Sequence, residues 1–483
     1  MTSSQSSSIS PIANYIGGRL VHSNSTFDVR SPFYSDYSIS LQKASPEDVD
    51  RAFSYGRRYS RTKKPDPEAL FGVLRAAGDG YSPSEQEVEY AVKMTGIPAK
   101  VVKANLRAIQ EFMWHFGDIM KQRYDVDEHG FCRDLGNGSV EVRVPKGGST
   151  VAYLPYGDLF PPVFVATQTL AAERATLIRP SSSLAYFSVK LGNVITDAAR
   201  RNNVDLDGAV NVLTWDSRDP SQHTNVDLIN QRTHPIDRLG FGSSENLKAL
   251  GVGIVYDHGS CKAIVDQGCD TRSAARSVAA GALENPLACD TTRMVWVHAG
   301  VRKEFEYYLK KEFEARKLGD PLQGDTDIGF VDFNDLTRTL NVIDHGVKQG
   351  SEELLYPETG NPYLVRVGEY QAQPMILRAH NMESPLMSGD YNLYMVMLRE
   401  VQSFDTAVRE IGSSQLPSPL CVSYYGDGKN DRNRAFELAT SLPSAHVNIG
   451  TNTRYHNLAL PHQGIYPFEE WTTPVSISIT VRQ

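Results

Sequence analysis

The sequence holds no apolar run approaching the roughly 18 residues that a membrane-spanning helix needs, so no part of it reads as crossing a bilayer. Positive charge is in deficit: 49 lysines and arginines stand against 57 aspartates and glutamates, a net −8. That balance gives no overall basic field for nucleic acid or an anionic membrane surface, while leaving room for a local basic pocket around a phosphate-bearing ligand. Cysteine is scarce, with five residues at 132, 261, 269, 289 and 421. None forms a C-x-x-C pair or a zinc-like spacing with histidine, which excludes a disulfide framework and fits a reduced, cytoplasmic protein with no metal site. No G-x-G-x-x-G follows a strand and no G-x-x-x-x-G-K-[ST] loop occurs, so any nucleotide needs another mode of binding. The opening MTSSQSSSIS lacks the basic region and apolar core of a secretory signal, and residues 1–12 read as a frayed tail.

What is present is ordinary for a globular chain, 40% hydrophobic and 22% charged, and 483 residues suit two or three packed units. NYIGGRLVHSNSTFDVRSP alternates around Gly17-Gly18 as a hairpin would. Ser45 with Asp48 three residues on is a helix-start signature, and helical periodicity runs from Glu68 to Gln122 with two breaks. SVEVRVPKGGSTVAYLP is β-rich with a turn at Gly147-Gly148. Beyond it, strand-like runs (STVAYLP, ATLIRP, AVNVLTW, DRLGFG) alternate with helical ones (PPVFVATQTLAAE, SLAYFSVKLGNVITDAARRN, DLINQRT). That alternation predicts a parallel sheet with helices on its faces, which binds ligands at the carboxyl ends of its strands. A second α/β stretch runs from about Tyr256 to Gly450. The closing TPVSISITV alternates strictly, like an exposed or subunit-pairing strand.

Three places carry residues suited to chemistry. In LIRPSSSLAYF a strand ends in Arg179 and Ser181 to Ser183 open a helix: a cation and hydroxyls beside a helix N-terminus suit an anion, and equally suit a plain helix lead-in. In RLGFGSSENL a strand runs into a Gly242-Ser243 turn whose backbone N–H groups could meet a pyrophosphate, although Glu245 is equally a capping partner. In ALENPLACDTTRMVWVH, Cys289 lies in a loop between helix and strand, with Asn285 before it and Arg293 after it. It is either a thiol held against a cofactor or an apolar filler.

In their order along the chain these elements resemble the aldehyde dehydrogenase superfamily over nearly the whole length. VPKGGSTVAYLPYGDLFPPVF is similar to the strand and turn that end in a catalytic amide. LIRPSSS resembles the cofactor-binding Lys-Pro-Ser-Glu element with Arg179 in the lysine's place, and GFGSSE the pyrophosphate turn. CKAIVD, AAGALENPLACDTTRMVWVH and LGDPLQGDTDIGFV follow the cysteine region and its Gly-Asp-Pro run. The resemblance implies an α/β subunit with two parallel-type sheets: a cofactor domain (13–128 and 150–256) and a catalytic domain (257–450). A bridging and oligomerisation element (129–149 and 451–483) implies a homodimer or tetramer. It also implies a Cys289 thiolate attacking an aldehyde or an acyl thioester, with hydride exchanged with a nicotinamide.

The departures shape the expected chemistry. The family's water-activating glutamate falls in YDHGSCK, leaving only Asp257 near its place, a loss expected to slow hydrolysis of an acyl-enzyme by about 10²–10⁴-fold. A thiol acceptor, coenzyme A or a carrier protein, needs less help. The same stretches resemble the fatty-acyl reductases of bacterial bioluminescence, which also lack that glutamate. Ser182 replaces a ribose-binding glutamate, which with Arg179 favours NADP(H), with NAD(H) possible. The family's catalytic asparagine becomes Asp158, whose carboxylate would repel an oxyanion unless protonated. A cysteine loop one residue short leaves Ala288 as an alternative occupant of the thiol's place. Glu383 in NMESPLM resembles the residue that holds the nicotinamide ribose. Tyr156, Phe160 and Phe164 suit either an apolar substrate or the core. Three functions follow: acyl-thioester reduction to an aldehyde, oxidation of an aldehyde to an acid, or a catalytically silent scaffold.

Overall fold

The computed structural model describes residues 11–478 apart from 24, 63, 128–129, 137–138, 258, 360, 389–390, 445 and 456–464. Gly17 and Gly18 both adopt positive φ (60° and 80°) and close a hairpin of Asn14–Ile16 with Arg19–Val21. That backbone geometry is the one glycine adopts without a Cβ clash. The hairpin adds two antiparallel strands to a seven-stranded sheet. Its other five strands run parallel, in the order Ile254–Tyr256, Arg238–Phe241, Ser149–Tyr153, Ala175–Arg179, Val210–Val212. Chain order reverses between Ser149–Tyr153 and Arg238–Phe241, which makes that gap the switch point of the sheet.

Helices cover this sheet because their apolar stripes match its faces. Pro46–Arg61 begins with a capping box in which Ser45 and Asp48 exchange side-chain and backbone hydrogen bonds. Pro67–Gly80, Glu85–Thr95 and Ala99–Lys121 form the helical run read from the sequence. The short helix expected at DLINQRT begins earlier and spans His223–Arg232.

A second seven-stranded sheet has the order Glu352–Tyr356, Met375–Ala379, Met395–Val401, Thr292–His298, Cys261–Val265, Cys421–Tyr425, His446–Ile449. It is parallel except for its first edge strand. Helices Thr271–Leu283, Arg302–Glu314 and Phe333–Gln349 pack with it into a separate apolar core.

A four-stranded antiparallel sheet, Thr472–Ser478, Ser139–Pro145, Gly130–Gly136, Asp125–Asp127, stands apart from both. The closing strand pairs on one side with the chain's own hairpin, Val475 opposite Val142, and its outer side is an edge; one expectation changes here. The frayed tail does not extend through residue 12, because Ile12 is buried and exchanges backbone hydrogen bonds with Ser40 and Gln42; residues 1–10 lie outside the described residues. Among the described residues no helix is long and apolar enough to cross a membrane.

Candidate active site

Open α/β sheets bind ligands outside the carboxyl ends of their strands where strand order reverses. At that point Phe241 is followed by Gly242, with φ +129° and nothing within 4 Å of where a Cβ would stand. Glycine is the residue that tolerates this conformation, and the space beside it is open. Ser243 is the N-cap of helix Ser244–Ala249 but makes no side-chain cap hydrogen bond, and Glu245 is exposed. The capping reading of this turn therefore lacks its hydrogen bond.

Two strands away, Ala175–Arg179 ends in a guanidinium that lies over the Trp215 ring at 5.5 Å. It makes no hydrogen bond or ion pair among the described residues. Burial lowers its pKa, opposed by Tyr153 and Asp216. Ser181 caps the following turn without a side-chain hydrogen bond. Ser182 lines a cavity of about 370 Å³ with Asp28, Arg30, Asp216, Ser217 and Arg218. An uncommitted cation and two uncommitted hydroxyls at one strand end fit an anionic group.

The cysteine loop follows helix Thr271–Leu283 and is organised by Asn285. Its Oδ1 accepts from Leu287 N at 3.0 Å, its carbonyl accepts from Thr291 Oγ1 at 2.6 Å, and its Nδ2 donates to the Gly157 carbonyl at 3.4 Å. The last of these bonds ties the loop to the segment carrying Asp158, and Gly157 closes the gap: a Cβ there would fall 2.3 Å from Leu287. Ala288 is buried, whereas Cys289 is partly exposed. Burial pushes the Cys289 thiol well above its ordinary pKa. Asp290, Asp158 and Cys261 add to that rise, and Arg454 opposes it.

Asp158 is thus brought to the cysteine. Its Oδ1 accepts from Phe160 N at 2.9 Å at the entrance of helix Pro161–Ala171. Burial, helped by Asp290, raises its pKa to about 6, against that hydrogen bond and Arg454. Of the aromatic residues nearby, Phe164 is core and meets Tyr256 edge-on, while Phe160 is half-buried against Phe112. Tyr156 donates to the Thr95 carbonyl at 3.4 Å.

Asp257 follows strand Ile254–Tyr256 and is partly buried in the crossover between the two sheets. Two residues after it the crossover meets the cysteine loop: Cys261 Sγ lies 3.5 Å from the Cys289 carbonyl oxygen, and Gly259 approaches it more closely still. A Cβ there would stand 1.6 Å from the Cys289 carbonyl oxygen. Glu383 is exposed on a turn of the second sheet's side, its N–H bonded to Asn381 Oδ1 at 3.0 Å.

Sequence reasoning misses two charges, Arg454 and Lys262. Arg293, the cation closest in sequence, donates to the carbonyls of Pro286 and Tyr391, both at 2.5 Å, so it braces the loop. The cation that acts on the thiol is Arg454, which pairs with Asp290 at 3.1 Å and Glu284 at 3.3 Å. Lys262, fully buried and with its pKa pushed down to about 8 by burial, donates to the carbonyls of Pro417 (2.6 Å) and Ser260 (3.1 Å), fastening the crossover. No local pattern marked Arg454. The Lys262 position was visible only as the last residue of YDHGSCK.

An aldehyde dehydrogenase family model matches residues 245–466. An aldehyde-dehydrogenase-like protein of Sinorhizobium fredii, y4uC, is 23% identical over 493 residues, covering 93% of this chain and 88% of its own. Among solved structures, an oxidoreductase from Marinobacter aquaeolei superposes with TM-score 0.80 at 17% identity, covering 97% of this chain and 98% of its own. The NAD+ complex of a Bacillus cereus aldehyde dehydrogenase gives 0.78 at 16%, covering 98% and 97%. An Escherichia coli NADP-dependent enzyme gives 0.78 at 17%, covering 98% of each chain. At these identities the structures establish an aldehyde-dehydrogenase-like fold, and residues 245–466 match the aldehyde dehydrogenase family model.

Proposed function

We propose that this chain is a nicotinamide-dependent oxidoreductase that interconverts an acyl thioester and an aldehyde through a thioester on Cys289. The observation that carries the reading is Gly259. At residue 259 the crossover that in the family presents a water-activating carboxylate meets the cysteine loop as bare backbone, with no room for a side chain at that position. Without a positioned base, hydrolysis of an acyl-enzyme is slow, whereas a thiolate acceptor attacks unaided. Coenzyme A or a carrier-protein thiol suits that role.

The residues at the strand ends fit a dinucleotide. Gly242 and Ser243 would receive its pyrophosphate, and Arg179, Ser181 and Ser182 its adenosine end, with Glu383 the candidate for the nicotinamide ribose. Bound there, it would supply or accept the hydride. The uncommitted Arg179 guanidinium, with no carboxylate at 182, favours a 2′-phosphate and hence NADP(H). Solved relatives include both an NAD+ complex and an NADP-dependent enzyme, so NAD(H) is retained. Cys289 is the nucleophile. Asp158, close enough for its charge to act on the thiol, is the group that in its neutral form would donate to the oxyanion. The family also supports a homodimer or tetramer in the cytoplasm.

Oxidation of an aldehyde to an acid is the second reading. It is favoured by the Asp158 carboxyl, which at neutral pH is an ionised base beside the cysteine. The deciding experiment is mass spectrometry of the intact protein with a panel of acyl-CoA thioesters, on wild type and Cys289→Ala, followed by NADPH or NADH. An acyl adduct confined to wild type and released as aldehyde on reduction supports the first reading. No adduct, with aldehyde-dependent reduction of NAD(P) in the absence of added thiol, supports the second. Inactivity in both directions leaves the silent scaffold.

A further inference from the structure

Arg454 joins its own late segment to two points of the cysteine region, Glu284 and Asp290, far from it in the chain. Its Nη1 contacts Asp290 Oδ1 in the cysteine loop at 3.1 Å, across 164 residues of sequence. Its Nε faces Glu284 Oε2, just past helix Thr271–Leu283, at 3.3 Å. Its own segment is locked to the same loop: Thr453 Oγ1 donates to the Asp290 carbonyl at 2.6 Å and meets Thr292 Oγ1 at 2.8 Å. The side chain is largely buried, 15% exposed, so its ion pairs are poorly screened compared with surface pairs.

The charges around the thiol explain why this matters. Asp158 faces Cys289 from the segment after Ser149–Tyr153, Asp290 from the cysteine's own loop, and Cys261 from the strand Cys261–Val265. Cys421 and Lys262 act on Cys261 behind it. Of the charged residues that act on Cys289, Asp290 and Asp158 raise its pKa and Arg454 lowers it. An arginine that keeps its charge at any working pH suits this place, because a guanidinium can hold two carboxylates and still act on a third anion.

We propose that Arg454 is a positioning residue of this site, fixing the cysteine loop through Asp290 and Glu284 and so holding its positive charge at the residue next to Cys289. The inference rests on reading Cys289 as the nucleophile but not on which substrate it attacks. A purely structural arginine would hold the loop without setting the ionisation of the thiol, and the two roles separate in a pH profile.

The test is the rate of iodoacetamide alkylation of the Cys289 peptide between pH 7 and 10, where the rate rises with the thiolate fraction and a displacement of the profile along the pH axis gives the shift in midpoint; mass spectrometry distinguishes the other cysteines. Wild type, Arg454→Lys and Arg454→Met are compared. In Arg454→Met the midpoint is expected to rise by about one pH unit, an about tenfold slower reaction at pH 7.5, and Arg454→Lys is expected to recover most of that loss. Should Arg454→Met not fold, Arg454→Met/Glu284→Gln removes one charge of each sign and leaves no unpaired carboxylate at 284. The same upward shift is expected, because Arg454 is the group acting on the thiol. A folded variant of either kind with the wild-type midpoint overturns the inference, as does a wild-type Cys289 that never alkylates. No cofactor or acyl substrate is involved. Alkylation that shifts as expected in a protein inactive on every thioester and aldehyde would therefore refute the proposed function and leave Arg454 standing.

Discussion

At Asp158 burial and Asp290 raise the pKa to about 6, well above the ordinary carboxylate value of 3.8. The fold therefore favours the protonated acid. That contribution to stability is fully present below the ordinary value and is lost as pH rises to about 6. The same titration governs chemistry: the neutral acid can donate to an oxyanion, and the carboxylate repels it. Asp158→Asn replaces the acid by a donor at every pH. Its rate of acyl-adduct formation is expected to match wild type near pH 5 and to exceed it by about tenfold or more at pH 8. A rate ratio that stays flat across pH 6, measured by timed quenching and mass spectrometry, would remove Asp158 from the reaction.

At the scale of elements, the crossover Asp257–Cys261 and the cysteine loop touch backbone to backbone. The contact has no slack, since a methyl at 259 would overlap the Cys289 carbonyl. Gly259→Ala must therefore move one of the two segments. Acyl-adduct formation on Cys289 is expected to fall at least about tenfold while the far-UV spectrum is retained, because a shift of an ångström costs about that much or more in a positioned nucleophile. What the sequence made legible at this scale was local. The Ser45–Asp48 capping box, the Gly17-Gly18 hairpin and the alternation of strands with helices each depend on residues a few positions apart, and each is present. Periodicity shows which face of an element is buried but not which element it meets. The pairing of Thr26–Arg30 with Ser38–Gln42 was therefore not foreseen, nor was the Asp290–Arg454 pair. Nor does closeness in sequence to Cys289 tell that the Arg293 guanidinium turns towards Pro286 and Tyr391.

Across the whole molecule, two α/β units are joined by the crossover, and the antiparallel sheet lies outside both. The outer edge of that sheet is Thr472–Ser478, with Val475 and Ile477 41% and 48% exposed and Pro474 placed where an edge tolerates a missing N–H. A monomer rarely leaves such an edge open, and strand addition from a second copy would cover it. Ile477→Lys is expected to reduce the assembled fraction in light scattering and sedimentation, with activity per folded chain retained. An unchanged mass distribution would place the interface elsewhere.

The clearance at Gly259 also bears on the history open to such a chain. Beside Gly242 and in the cavity lined by Ser182 there is room for new side chains, so single substitutions there can change what the strand ends hold without moving the main chain. Position 259 is different: any side chain there collides with the Cys289 carbonyl, so the approach of the crossover to the cysteine loop is held by backbone geometry and is harder to alter by point substitution than a side-chain contact.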